Sequence, residues 1–245
     1  MPPNVDGMST NHLLCELHAH STWSDGALTV TELVDLYGFN GFDVLCLTDH
    51  VLRSDAGPYR LRAETHDAYV LAIEREAKRA SEQYGLLLIP GLELTHVAQN
   101  PDDAGHALAL GLRTFVSVDD GLESAMRAAR AAGAAIVAAH PHGENDDPSP
   151  TRTTRFFNRN WNRLDGLVDR YELVNRDQTF GWVACANLPG IATGDFHRPE
   201  HLDTWKTLLP CAKTERAVVD YLRSDRRAYV VPWHLRNVGR RRLAA

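Results

Sequence analysis

Short apolar runs that end abruptly in histidine or aspartate are the feature of this chain that most restricts its fold. LLCEL leads into His18-Ala-His20, DVLCL into Thr48-Asp49-His50, AAIVAA into His140-Pro141, and GIATG into Asp195-Phe196-His197. Runs of this length without alternation belong to strands covered on both faces. Between them lie segments of helical period. Leu33, Val34 and Tyr37 precede Gly38 and Gly41, a long stretch from Asp67 to Tyr84 stops at Gly85, and Ala-rich Asp120 to Ala132 stops at Gly133. LLLIPGLEL, HALALGL and YELVN add strands, a short helix is predicted near Thr179 to Asn187, and AYVVP follows a last helix over Thr214 to Ser224. Strands alternating with helices form a mostly parallel sheet. Seven such units with no linker, repeat or compositional break predict one α/β domain, closed or nearly closed into a barrel.

Barrels of this kind place their chemistry at the C-terminal ends of strands. His18, His20, His50, Glu93, His140, Asp195 and His197 all fall at such ends; His106 does not, because it precedes its apolar run. A strand that finishes in several ionisable groups is costly unless those groups find partners. Four strands finishing this way point to imidazoles and carboxylates converging on metal ions. Mixed imidazole and carboxylate ligands without thiolate suit Mn, Fe or Zn. Two such ions about 3.5–4 Å apart can share and activate a water, which predicts a hydrolase.

Chain-wide properties narrow the field. The 245 residues carry ordinary hydrophobic (44%) and charged (24%) fractions and a net charge of −6, which argues against strong nucleic-acid binding. No apolar run has the length of a membrane span, and MPPNVDGMST lacks the basic and apolar regions of a signal peptide, so a cytoplasmic location is expected. The four cysteines show no CxxC spacing; Cys15 and Cys46, inside strand-like runs, are expected to be reduced core residues. Residues 1–12 are read as an extension, 13–235 as the domain and 236–245 as a basic tail.

ELHAHSTWSDG, LTDH, the Glu of GLEL, AHP and GDFH occur in that order between Leu13 and Leu209. They resemble the motifs of the PHP (polymerase and histidinol phosphatase) family. The resemblance implies a distorted, TIM-like (β/α)7 barrel, two or three divalent ions and hydrolysis of phosphate esters. It implies that His18, His20, Glu93 and Asp195 hold a first ion, that Glu93 bridges to a second completed by His106 and His140, and that Asp25, His50 and His197 hold a third. Asp25 stands where some members have histidine, and Val51 makes the rim beside His50 less polar than in many relatives. The short interval from His106 to His140 leaves no room for the helical insertion of some nucleotide-cleaving members.

Asp195 and His197 are expected to serve catalysis as well as metal binding, with His197 or His142 relaying a proton to the leaving group. Asp49 is expected to orient an imidazole or to hold its loop. Substrate phosphate needs a cationic rim, for which Arg53 and Arg198 are candidates beside His50 and His197. Arg152 and Arg155, in a segment shared with Phe156, Phe157 and Trp161, either bind phosphate and stack a base or form one solvated helix face. His12, His66, His96, His201 and His234 have no motif context and are read as structural or surface residues. The expected substrate is a small phosphate monoester, such as a nucleotide, sugar or amino-alcohol phosphate. An amide-type hydrolase and a noncatalytic metal-binding protein are the alternatives.

Overall fold

The computed structural model describes residues 12–58, 60–144, 146 and 154–233. In chain order the strands are β1 (Leu13–Glu16), β2 (Val44–Leu47), β3 (His50–Val51), β4 (Leu87–His96), β5 (Gly105–Leu110), β6 (Ala135–Ala139), β7 (Arg170–Asn175), β8 (Gln178–Thr179), β9 (Gly190–Thr193), β10 (Trp205–Leu209) and β11 (Tyr229–Pro232). The helices are α1 (Val30–Phe39), α2 (Ala63–Tyr84), α3 (Leu122–Ala131), α4 (Phe156–Asn160), α5 (Gly181–Cys185) and α6 (Glu215–Leu222). Thr29 opens α1 by accepting from the Glu32 amide while the Glu32 carboxylate accepts from the Thr29 amide, a reciprocal cap. The long helix begins at Ala63, four residues ahead of the expected Asp67. Its polar first turn carries no apolar period, and Thr65 satisfies the Arg62 amide instead. Gly85 ends it in the left-handed conformation (φ 64°), as its sequence position implied.

The sheet runs β11-β10-β1-β2-β4-β5-β6-β7, with β9 added against β7. β1, β2 and β4 are parallel, as are β6, β7 and β9. β5 reverses the pattern and runs antiparallel to both neighbours. The expectation of a mostly parallel sheet therefore fails at β5, and the reversal accounts for His106. In an antiparallel strand the first residue, not the last, lies beside the C-terminal ends of its neighbours. β10 was not among the expected strands; it pairs antiparallel with β1 and with β11. Beyond β1 and β9 the chain forms a further parallel bridge, Ala19 with Phe196, so the sheet curls until its first and last parallel strands meet.

Apolar side chains cover both faces. Inside the curl lie Cys15, Cys46, Leu108, Val137 and Ile191, sealed at one end by Val218, Val219 and Leu222 of α6. Outside, Leu14, Leu45 and Leu88 pack with residues of the helices such as Leu33 of α1 and Ile73 of α2. Cys15 and Cys46 are buried free thiols, with pKa values pushed up by burial. The end opposite α6 is left for polar groups.

Directly beneath that polar end, Lys206 of β10 is fully buried and pairs with Glu16 of β1 at 3.0 Å. Glu16 also accepts from the Gly194 amide (2.8 Å) and the Leu17 amide (3.1 Å), and Tyr37 donates to it from α1. A Cβ at position 194 would collide with this ion pair. Removing one partner of a buried pair strands the other charge, at a cost of about 3–5 kcal/mol. Lys206→Met is therefore expected to lower the denaturant midpoint by that stability, measured by urea unfolding; an unchanged midpoint would show that Glu16 is not held by this contact.

Candidate metal centre

Backbone pairing delivers the polar residues to one place. The His20 amide donates to Phe196 O (2.8 Å) and the Phe196 amide to His18 O (3.0 Å), which sets the His18-Ala-His20 turn against Asp195 and His197. His50 is in register with Glu93, and His106 lies opposite Ala139, next to His140. His140 and Asp195 take positive φ angles (28° and 42°), unusual for residues with a Cβ. Each strained peptide is pinned: the His140 amide donates to Glu172 Oε2 (2.6 Å), and Asp195 O accepts from Arg176 (2.9 and 3.1 Å).

Three groups of donor atoms result: His18, His20 and Asp195; Glu93, His106 and His140; and His20, Asp25, His50 and His197. His18 Nε2 and His20 Nε2 each lie 3.5 Å from Asp195 Oδ1, and 3.5 and 3.4 Å from Glu93 Oε2. Ligands about 2.1 Å from an ion in tetrahedral array stand about 3.4 Å apart. Glu93 Oε1 is 3.0 Å from His106 Nδ1 and 3.3 Å from His140 Nε2. Asp25 Oδ1 is 3.3 Å from His197 Nε2 and 3.6 Å from His50 Nε2.

A divalent ion fits the donor chemistry. Glu172 is a fully buried carboxylate that accepts from His18 Nδ1 at 2.8 Å. A carboxylate cannot donate, so the Nδ1 atom carries a proton and Nε2 is the ring atom aimed at Glu93 and Asp195 as a possible ligand. Donor atoms of this kind converging on one point need a cation between them, a proton or a metal ion. Accordingly His18 Nε2, His20 Nε2, Glu93 Oε2 and His197 Nε2 are buried without a hydrogen-bond partner. Burial opposes ionisation of Glu93, yet His50, His18 and His106 outweigh it and hold the carboxyl well below its usual range. Asp195 is likewise lowered against burial by His18, His197 and His20. Burial, reinforced by His50, pushes His20 down to about 3, and burial pushes His106 down to about 4 despite Glu93. His197 moves the other way, its burial overcome by Asp195 and Asp25, to about 9.

The metal residues expected from the sequence, His18, His20, Asp25, His50, Glu93, His106, His140, Asp195 and His197, thus come together. A cavity of about 330 Å³ opens beside them, walled on the far side by His142, Asn175, Arg176, Asp177 and Gln178. Other expectations need correction. Asp49 touches no imidazole; it accepts from Ser21 and Ser24 and so fixes the loop that carries Asp25. Arg53 pairs with Asp55 in solvent, and neither it, Arg198 nor Arg155 lines the cavity. Arg155 and Arg159 face Asp102, and Arg163 pairs with Glu123, because these acidic neighbours outcompete an open cavity for their charge. Phe157 is core, with Phe156 and Trp161 packed against it, so this segment offers no stacking platform there. Arg152, His234 and the 236–245 tail lie outside the described residues. His201, read as structural, accepts from the His197 amide through Nδ1 (3.1 Å).

Two residues of the site carried no motif. Glu172 stands in an apolar strand, YELV, where an isolated carboxylate was itself the signal. Besides His18 and His140 it accepts from Thr193 (2.6 Å) and Asn175 (2.7 Å). Arg176 follows that strand in a left-handed turn (φ 52°) and reaches Asp195 Oδ2 (3.1 Å) and His197 Nδ1 (3.0 Å).

No protein-family model and no curated protein sequence matches the chain. Solved structures do. A two-domain protein from Bacteroides vulgatus containing a predicted PHP-like metal-dependent phosphoesterase is 26% identical, with a TM-score of 0.65 over 90% of this chain and 64% of that one. The present chain thus spans less than two thirds of that neighbour. A metal-dependent phosphoesterase candidate from Bifidobacterium adolescentis is 17% identical (TM-score 0.48, 75% of this chain and 87% of that one). An amidohydrolase from Chromobacterium violaceum, with bound sulfate and no metal, is 18% identical (TM-score 0.52, 76% and 88%). The chain thus presents a curled α/β sheet whose strand ends gather His, Asp and Glu side chains into groups able to hold metal ions. In its ordered motifs and its fold the chain is similar to the Bacteroides protein that contains a predicted PHP-like metal-dependent phosphoesterase.

Two outcomes follow from the electrostatics. Partners that orient a metal-bound imidazole contribute about 10–100-fold to metal affinity, so Glu172→Gln is expected to weaken metal binding by that factor in a calorimetric titration; unchanged affinity would remove Glu172 from this role. In chelated protein, His20 and His106 stay neutral far below the usual imidazole pKa of about 6.5. The unfolded chain then binds more protons as pH falls from about 6.5 to 4, and stability drops. The raised pKa of His197 stabilises fully below about 6.5 and is lost as pH rises toward 9. The melting temperature in EDTA should therefore peak near pH 6.5, and a flat profile from 4 to 9 would contradict these environments.

Proposed function

We propose that this protein is a metal-dependent phosphoesterase that releases phosphate from a small phosphate monoester. The observation that carries the reading is the set of unpartnered acceptors converging around Glu93 and Asp195 at the base of a small polar cavity. The curled sheet, with β1-β2-β4-β5-β6-β7-β9 in sequence and the Ala19–Phe196 bridge between its ends, supports a distorted (β/α)7 barrel. His18, His20, Glu93 and Asp195 would hold one ion, Glu93, His106 and His140 a second, and Asp25, His50 and His197 a third. The donor set favours Mn, Fe or Zn. Bound ions of this type supply charge neutralisation for a phosphoryl group and an ionised water near neutral pH.

The protein's own groups do the positioning. Glu93 turns Oε1 to His106 and His140 and Oε2 to His18 and His20, so one carboxylate ties two neighbouring sites together. Glu172 fixes the His18 tautomer. Arg176 holds Asp195 and His197 in place through the Asp195 carbonyl and carboxylate. His142, nearly fully buried on the cavity wall with Nε2 unpartnered, is placed on the side from which the leaving group departs.

A second reading is hydrolysis of an amide-type bond, since the Chromobacterium neighbour is called an amidohydrolase. One experiment separates the readings: elemental analysis paired with a screen of phosphate esters and amides on the same sample. Phosphate release with metal bound is expected. His18→Ala and Asp195→Ala should each lose metal and fall in activity at least about 100-fold, the scale of several kcal/mol that an ion contributes. Full activity in either variant would overturn the proposal, and cleavage of amides alone would favour the second reading.

A further inference from the structure

The wall of the cavity facing the metal ligands belongs to the tight turn between β7 and β8 and to His142. That turn is locked to the metal centre. The Arg176 amide donates to Thr193 O (3.0 Å), its guanidinium to Asp195 O, and Asn175 Nδ2 to Glu172 Oε2. The Arg176 guanidinium and Asn175 Nδ2 are thereby engaged inside the protein, and Asp177 and Gln178 complete this wall of the cavity.

His142 adds a third group. The Thr154 hydroxyl donates to His140 O at 2.7 Å, so its oxygen can only accept from the His142 Nδ1 atom 3.3 Å away. The proton is then on Nδ1, and the unpartnered Nε2 faces the cavity as an acceptor. His142 is 4% exposed, so this unmet acceptor is built into the wall. The wall opposite the ions thus offers an imidazole acceptor, a carboxylate acceptor and one amide of mixed character.

No Phe, Tyr or Trp among the described residues lines the cavity, so these residues offer it no large ring on which a base would stack. The guanidinium on its wall, Arg176, is neutralised by Asp195 at 3.1 Å, while Asp177 adds negative charge. Among the described residues of that wall, a leaving group bearing a second phosphate meets carboxylate charge and no unpaired cation. At about 330 Å³ the cavity is at the small end of the roughly 300–1,000 Å³ range of ligand pockets.

Building on the phosphoesterase reading, we propose that His142, Asp177 and Gln178 form a leaving-group subsite for an uncharged, hydroxyl-rich alcohol, so that the substrate is a polyol or sugar monophosphate. Hydroxyl groups donate to both acceptors and accept from the amide. Sites built to bond a hydroxyl discriminate strongly against analogues that lack it, because their polar groups are left unpaired.

The test compares kcat/KM of the metal-loaded protein for glycerol 1-phosphate, glucose 6-phosphate, AMP, fructose 1,6-bisphosphate and phenyl phosphate. One of the first two is expected to exceed each of the last three at least about tenfold, the scale of one or two lost hydrogen bonds. Asp177→Asn and Gln178→Ala should raise KM for the preferred ester and bring its advantage over phenyl phosphate close to unity. Metal content of each variant should match the parent. Calorimetry with glucose 6-phosphate or glycerol 1-phosphate should show the same loss of affinity. A preference for AMP, the bisphosphate or phenyl phosphate, or variants that keep the full preference, would overturn the subsite. Loss of metal in the variants would assign these residues to the ions instead. Phosphate release from none of the esters, with metal bound, would instead overturn the phosphoesterase reading itself and the subsite with it.

Discussion

The structure depends on a carboxylate placed where burial alone would forbid it. Glu93 is fully buried, and four imidazoles stand within 3.5 Å of its oxygens, from His18, His20, His106 and His140. His50 approaches closer still, at 2.7 Å. Such a carboxylate is tolerable only when positive charge surrounds it. In the metal-free protein that charge comes from His18 and His50, whose pKa values the nearby carboxylates raise against burial; ions take it over by displacing those protons, which couples metal affinity to pH. The neighbouring polar groups follow from this requirement. Glu172 and Arg176 hold ligands that would otherwise turn away, and Glu16 with Lys206 braces the two chain segments that carry His18 and Asp195.

The sequence made the strand ends and their ligands legible because each ligand follows a run whose only stable place is a covered sheet. Direction was harder to read. An apolar run such as HALALGL is equally suited to a parallel or an antiparallel strand, so His106 stood apart until β5 was seen to run backward. The start of α2 was obscure for a related reason: its first turn is exposed, and only a local Thr65 contact marks it. Glu172 was passed over because a single acidic residue in a strand resembles a solvent-facing one, whereas three of its four donors, from His18, His140 and Thr193, arrive from other segments of the chain.

The arginines mark the limit of reading charge from position. Proximity in sequence to His50 and His197 gave Arg53 and Arg198 a claim on the cavity, but a guanidinium binds the carboxylate that geometry offers first. Arg53 found Asp55, and Arg163 found Glu123. Arg176, with no motif around it, reached the centre because a left-handed turn aims it back at Asp195. Backbone conformation decided which cation mattered.

The reversed strand has a consequence for how the protein folds. β4, β5 and β6 form a meander of consecutive strands, so Glu93 and His140 meet across only 47 residues. Glu16 and Gly194, which bracket the His18–Asp195 side, meet across 178. Loop closure is entropically cheaper and faster over short separations. Half of the centre can therefore assemble as a local unit early in folding, while the other half waits until the two ends of the sheet join. An ion held by His18, His20 and Asp195 would then fasten the last contact to form.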